Sequence, residues 1–159
     1  MPAPRALLLL LLLVTVLAAG CGSSSAKKVE TTTRLTQAQF VSAANTVCIN
    51  SDRRVFRLGR LTLLPEGWAE TAIAANRAVQ EMSFLQAPEA AEAGFQHLLA
   101  LGRVLAGDIK LVHGDLVKKD YKAAQAAQLR ATKTDTAIHL QAKKLGLTFC
   151  QQLLTNWPA

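Results

Sequence analysis

The chain has 159 residues, is half hydrophobic, carries a formal net charge of +7 and contains three cysteines. A length of this order admits one domain with a sizeable core and excludes a string of domains, a barrel of enzyme size or a multi-span membrane protein. Fifteen of the hydrophobic residues and one charge, Arg5, fall in the first 20 positions, so the other 139 residues carry +6 and an ordinary apolar fraction.

The N-terminus opens with the short basic stretch Met1 to Arg5 and continues as an apolar run from Ala6 to Ala19, interrupted by Thr15. A helix needs about 20 apolar residues to span a bilayer, so the run is short for a permanent anchor and suits a secretory signal. It ends in Leu17-Ala18-Ala19-Gly20-Cys21, which resembles the bacterial lipobox, with Ala18 where that motif most often has Leu. The resemblance implies a diacylglycerol thioether on Cys21, cleavage before it, and a protein held by lipid at the extracytoplasmic face of the cell membrane. Stable anchoring takes two or more acyl chains, such as palmitate, because one chain holds a protein only marginally. Residues 1–20 are accordingly expected to be a signal peptide, 21–35 a lipidated flexible tether and 36–159 the helical domain. Gly22-Ser23-Ser24-Ser25-Ala26-Lys27-Lys28 and Thr31-Thr32-Thr33-Arg34 offer little to bury, and a linker of about 14 such residues has an r.m.s. reach of about 20 Å.

The body reads as helices throughout. Thr36 can cap a first helix with Gln39 reciprocating three residues on and Leu35 stapling against Phe40. Phe40, Ala44, Val47, Cys48, Val55 and Leu58 then share one stripe. A second helix is expected to start at Pro65, where a missing N–H costs nothing, to bury Trp68, Ala72, Ala75, Val79 and Met82, and to stop before Pro88.

Pro88 can open the third helix, with Glu89 and Glu92 near its positive end and Phe95, Leu98, Leu105, Ile109, Val112 and Leu116 inward. Its end is placed in a turn from Gly114 to Lys119. Asp120 then caps a fourth helix to Leu145, with Lys143 and Lys144 at the negative end, Gly146 as the left-handed stop, and Ala124, Ala127, Ala131, Thr134, Ile138, Gln141 and Leu145 inward. These small residues either let backbones approach closely or leave room for a ligand. With no alternating strand, hairpin dipeptide or repeat, the expected fold is all-α, a four-helix up-down bundle.

If Cys21 takes lipid, Cys48 and Cys150 remain as a pair in a compartment where disulfides persist. Cys48 lies about 18 Å into its helix at 1.5 Å per residue. The segment from Leu147 to Cys150 must therefore turn back at Gly146 to reach it, which makes the C-terminus a short segment stapled to helix one. Phe40 and Cys48 in an Ala-rich helix, Pro88 opening a middle helix, and Lys144-Leu145-Gly146-Leu147-Thr148-Phe149-Cys150 together resemble small helical lipoproteins of high-GC Gram-positive bacteria. That group is largely uncharacterised, so the resemblance implies fold and location and no activity.

No catalytic, cofactor or metal constellation is expected. His97, His113 and His139 are read as solvated or capping residues, none paired with a carboxylate on its own helix face. Arg53, Arg57 and Arg60, with Arg54 at the margin, are expected to form a stripe opposite the apolar side of helix one. The stripe is either a solvated face or a candidate anion-binding strip for lipid headgroups or acidic wall polymer. Nucleic acid is a poor partner, because the signal directs the chain away from it and no base-reading motif accompanies the charge. The expected function is that of a lipid-anchored envelope module that binds or supports without catalysis, its protein partner unspecified. The alternative is a carrier of a small apolar ligand, in a cavity lined by Phe95, Leu105, Ala131 and Ile138.

Overall fold

A computed structural model describes residues 34–58 and 64–151. They form four helices, α1 (Gln37–Phe56), α2 (Pro65–Ser83), α3 (Glu89–Val117) and α4 (Tyr121–Lys144), followed by a 3-10 turn at Phe149–Gln151. No strand occurs among the described residues. Consecutive helices pack on one another. The pairs His113/Pro65 and Gly102/Val79 run in opposite directions along α3 and α2, as do Gly94/Leu145 and Asp108/Arg130 along α3 and α4.

α1 starts where the sequence predicts. The Gln39 N–H donates to Thr36 Oγ1 at 3.3 Å, and the Thr36 N–H donates back to Gln39 Oε1 at 3.0 Å, satisfying two N–H groups that the first turn leaves free. Its buried stripe is Phe40, Ala44, Cys48 and Ser51. Val47 and Val55 are only half-buried, and Leu58 lies beyond the helix end. The Phe40 and Phe95 rings meet edge to face at a centroid distance of 5.0 Å, joining α1 to α3.

α2 begins with Pro65 in its first turn and buries Trp68, Thr71, Ala72 and Met82, while Ala75 and Val79 stay half-buried. Pro88 serves as the N-cap of α3 and leaves the first helical position to Glu89.

The end of α3 corrects the sequence reading. The helix runs through Gly114 to Val117, and the expected turn from Gly114 to Lys119 shrinks to its last two residues. Lys119 takes the left-handed conformation (φ 60°). The Lys119 N–H donates to the Leu116 carbonyl and the Asp120 N–H to the Asp115 carbonyl, the paired bonds of a Schellman stop. A mid-helix glycine costs about 1 kcal/mol relative to alanine, which the burial of Val112 and Leu116 on either side outweighs.

α4 starts at Asp120, whose carboxylate accepts from the Ala123 N–H at 3.0 Å. Its inward stripe departs from expectation at two positions: Asp135 and Ala142 are buried, whereas Thr134 and Gln141 are half-buried. The alanines let α4 lie against α3. A Cβ on Gly94 would sit 2.9 Å from Gln141 Nε2, which itself donates to the Gly94 carbonyl at 2.8 Å. Close approach is therefore what the stripe provides at this contact.

The helix then ends in a second Schellman stop at Gly146 (φ 77°), with the Gly146 N–H donating to the Lys143 carbonyl and the Leu147 N–H to the Ala142 carbonyl. From there the chain runs back along α1. Gln37 reaches the Leu145 carbonyl, Val41 lies beside Gly146, Asn45 Oδ1 accepts from the Phe149 N–H at 3.1 Å, and Cys48 is joined to Cys150. The disulfide spans 102 positions with a Cα–Cα separation of 5.1 Å, and both cysteines are buried.

Three outcomes follow from these junctions. In a urea titration, Cys48→Ala/Cys150→Ala is expected to lose about 3 to 5 kcal/mol, near the loop-closure entropy of a loop of about 100 residues. Gly114→Ala, whose added Cβ meets nothing within 4 Å, is expected to gain about 0.5 to 1 kcal/mol, and Lys119→Gly a similar amount by relieving its left-handed backbone. A helix broken at Gly114 would reverse the first of these two signs.

Candidate functional site

Each expected site residue now has a position. Cys48 and Cys150 form the bridge. Cys21 and Arg60 lie outside the described residues, as do the signal segment and most of the expected tether. Arg53 and Arg57 are exposed, but Arg57 caps the end of α1 and does not extend a helical stripe. Arg54, expected at the margin, is half-buried and committed: its guanidinium reaches Glu81 of α2 at 2.9 and 3.4 Å, and Arg77 reaches the same carboxylate at 2.9 Å. Hydrogen bonding from Arg54 holds the Glu81 carboxyl below its ordinary range. This pairing ties α1 to α2 and takes Arg54 out of any free cationic surface.

The histidines divide three ways. His97 is exposed. His113 Nδ1 lies 2.8 Å from the Pro65 carbonyl and, as the N–H tautomer, donates to it, linking α3 to the start of α2. His139 corrects the sequence reading, because Asp135 stands four residues before it on one face of α4. Its Nε2 lies 3.3 Å from Asp135 Oδ2. The i, i+4 spacing is present in the sequence, and a buried stripe drawn through Thr134 in place of Asp135 conceals the pair.

Asp135 is 6% exposed, and neither its Oδ1 nor His139 Nε2 has a hydrogen-bond partner. Burial of the carboxylate raises its pKa from 3.8 to about 6, opposed by the positive charge of His139 when protonated. By contrast Asp108, also buried, accepts from Arg130 Nε at 3.0 Å across the α3–α4 interface. Among the described residues no cluster of three or more His, Cys, Asp or Glu side chains could hold a metal ion. No described helix is long and apolar enough to cross a membrane.

An apolar cavity of about 80 Å³ among the described residues has room for a small ligand. Leu105 and Ile138 line it as expected, whereas Phe95 and Ala131 do not, and neither Asp135 nor His139 reaches it. It sits chiefly among α1, α2 and α3, where Ser51, Ala75, Ala78 and Gly102 converge, with the Cys48–Cys150 bridge in its wall. Small residues close the gap between two helices, but where three helices meet they leave space that no side chain enters. That three-way meeting is invisible in any one helical stripe, which is why the sequence placed the cavity beside α4.

The Asp135 shift carries a sign for stability. A carboxyl with pKa about 6 folded and near 3.9 unfolded binds its proton more tightly in the folded state. Its stabilisation is complete below about pH 4 and disappears as the pH rises through 6. Asp135→Asn is therefore expected to stabilise the domain by roughly 1 to 3 kcal/mol at pH 7.5 and to have little effect at pH 4. Denaturant titrations at the two pH values check this, and equal effects at both would contradict it.

No protein-family model, no curated protein and no solved structure matches the chain.

Proposed function

We propose that this protein is a lipid-anchored module of the bacterial cell envelope, held at the extracytoplasmic face of the membrane through Cys21 and working by binding or support without catalysis. The observation that carries the reading is the buried Cys48–Cys150 disulfide. Such a cross-link persists in compartments outside the reducing cytosol, and so supports reading the apolar N-terminus as an export signal. It also leaves Cys21, in a segment resembling the lipobox, as the one cysteine of the three without a partner in the bridge.

Arg53 and Arg57 are the candidate anion contacts of this module, together with Arg60. They stand at the far end of α1, about 30 Å from the residues that join the tether, since 20 helical residues rise 1.5 Å each. Acidic wall polymer and anionic lipid headgroups are the two surfaces that such contacts would meet.

A second reading, a carrier of a small apolar ligand, is favoured by the cavity described above. Its expected location moves from the α4 stripe to the meeting of α1, α2 and α3.

Mass spectrometry of the mature N-terminus in the native host tests the anchor. A diacylated Cys21 as first residue is expected, and Cys21→Ser should release the protein from the membrane fraction. An unmodified Cys21 in a membrane-free protein overturns the reading.

A further inference from the structure

Several threonine hydroxyls of the bundle share a habit, Thr71 in the interior and Thr46, Thr132 and Thr136 on the surface. Thr46, Thr71, Thr132 and Thr136 each donate to the carbonyl four residues back, the usual resort of a hydroxyl within a helix. Ser51 does not. It is 3% exposed, lines the cavity, and makes no hydrogen bond with any described residue. Among the described residues the fully enclosed polar atoms that lack a partner are Asp135 Oδ1 and His139 Nε2, so the Ser51 hydroxyl is open to the cavity and available to pair with a group that enters it.

The rest of the wall narrows the chemistry. Thr71 is the other polar residue there, and its hydroxyl is committed to the Gly67 carbonyl at 2.7 Å. No lining residue carries a charge, so a carboxylate or ammonium would enter unpaired. A volume of about 80 Å³ is roughly half that of an engineered apolar cavity of about 150 Å³ that admits benzene, which excludes a long acyl chain, fits a short chain and makes a single ring the largest occupant, one that the flexible Met82 side chain in the wall would have to move to admit.

We propose that the cavity binds a compact, mainly apolar molecule bearing one oxygen, a simple phenol or short alkanol, and that this oxygen pairs with the Ser51 hydroxyl. The inference rests on the carrier reading and adds to it the chemical class of the ligand and the residue that selects it. Discrimination comes from the single polar contact. An analogue with a methyl group in place of the hydroxyl fills the same space but leaves Ser51 unpaired.

Phenol and toluene are the matched probes, differing in one hydroxyl for one methyl. Each is titrated by NMR into the chain from residue 21 onward carrying Cys21→Ser, with its disulfide intact. Both are expected to shift amides around Ser51 and Ile138. Ser51→Ala is expected to weaken phenol about fivefold, the worth of one hydrogen bond, and to change toluene by less than twofold. Ala75→Leu, which adds three carbons to the wall, is expected to abolish both while the melting temperature holds or rises.

Equal effects of Ser51→Ala on the two probes overturn the Ser51 assignment and leave the carrier reading standing. Failure of both probes to bind the parent chain overturns both. Binding that survives in a folded Ala75→Leu variant places the ligand elsewhere and overturns the cavity as the site.

Discussion

The reversal at Gly146 closes this bundle. α1 packs on α2 and on the C-terminal turn, α4 reaches that same turn, and the segment after Gly146 thus carries the connection between the first and last helices. The reversal needs a left-handed residue, which glycine adopts without steric cost, and it delivers Leu147 and Cys150 into the core at 0% and 1% exposure. Once the segment lies along α1, the 5.1 Å Cα separation of Cys48 and Cys150 follows from register. The covalent bond then keeps that register by constraining the unfolded chain.

Packing quality differs from one side of the bundle to the other. α3 and α4 approach closely where Gly94 lies against Gln141 and Leu145, and the polar groups at their interface find partners, Arg130 on Asp108 and Gln141 on the Gly94 carbonyl. Between α1 and α2 the arrangement is looser. Arg54 and Glu81 fasten one edge, but the interior keeps an apolar cavity with Ser51 in its wall. Asp135, buried without hydrogen bonds beside His139, is a departure from full satisfaction on α4. In a domain whose net stability is only about 5 to 15 kcal/mol, such features persist where packing elsewhere offsets them or where the site has a use.

Legibility follows the range of the interaction. Thr36 with Gln39, Pro65, Asp120 and Gly146 mark helix ends through contacts within a few residues, and each does so in the structure as the local chemistry predicts. Gly114 misleads because its propensity cost is real but smaller than the burial of the helix around it. Lys119, with no glycine signal, takes the left-handed stop instead. Thr134 and Asp135 are neighbours on α4, and polarity alone favours burying the threonine. The packing of α4 on its partners buries Asp135 instead.

The sequence by itself determined the all-α class, the helix ends at Thr36, Asp120 and Gly146, the one-plus-two division of the cysteines and the Cys48–Cys150 pairing, because these rest on helical periodicity, local hydrogen bonding and parity. Only the tertiary structure decided that the inward stripe of α4 approaches α3 closely at Gly94, that Arg54 is a tie to α2, and that the open space lies at Ser51. Those outcomes depend on how three or four helices converge in space, and a helical stripe records which residues face inward but not what they meet there.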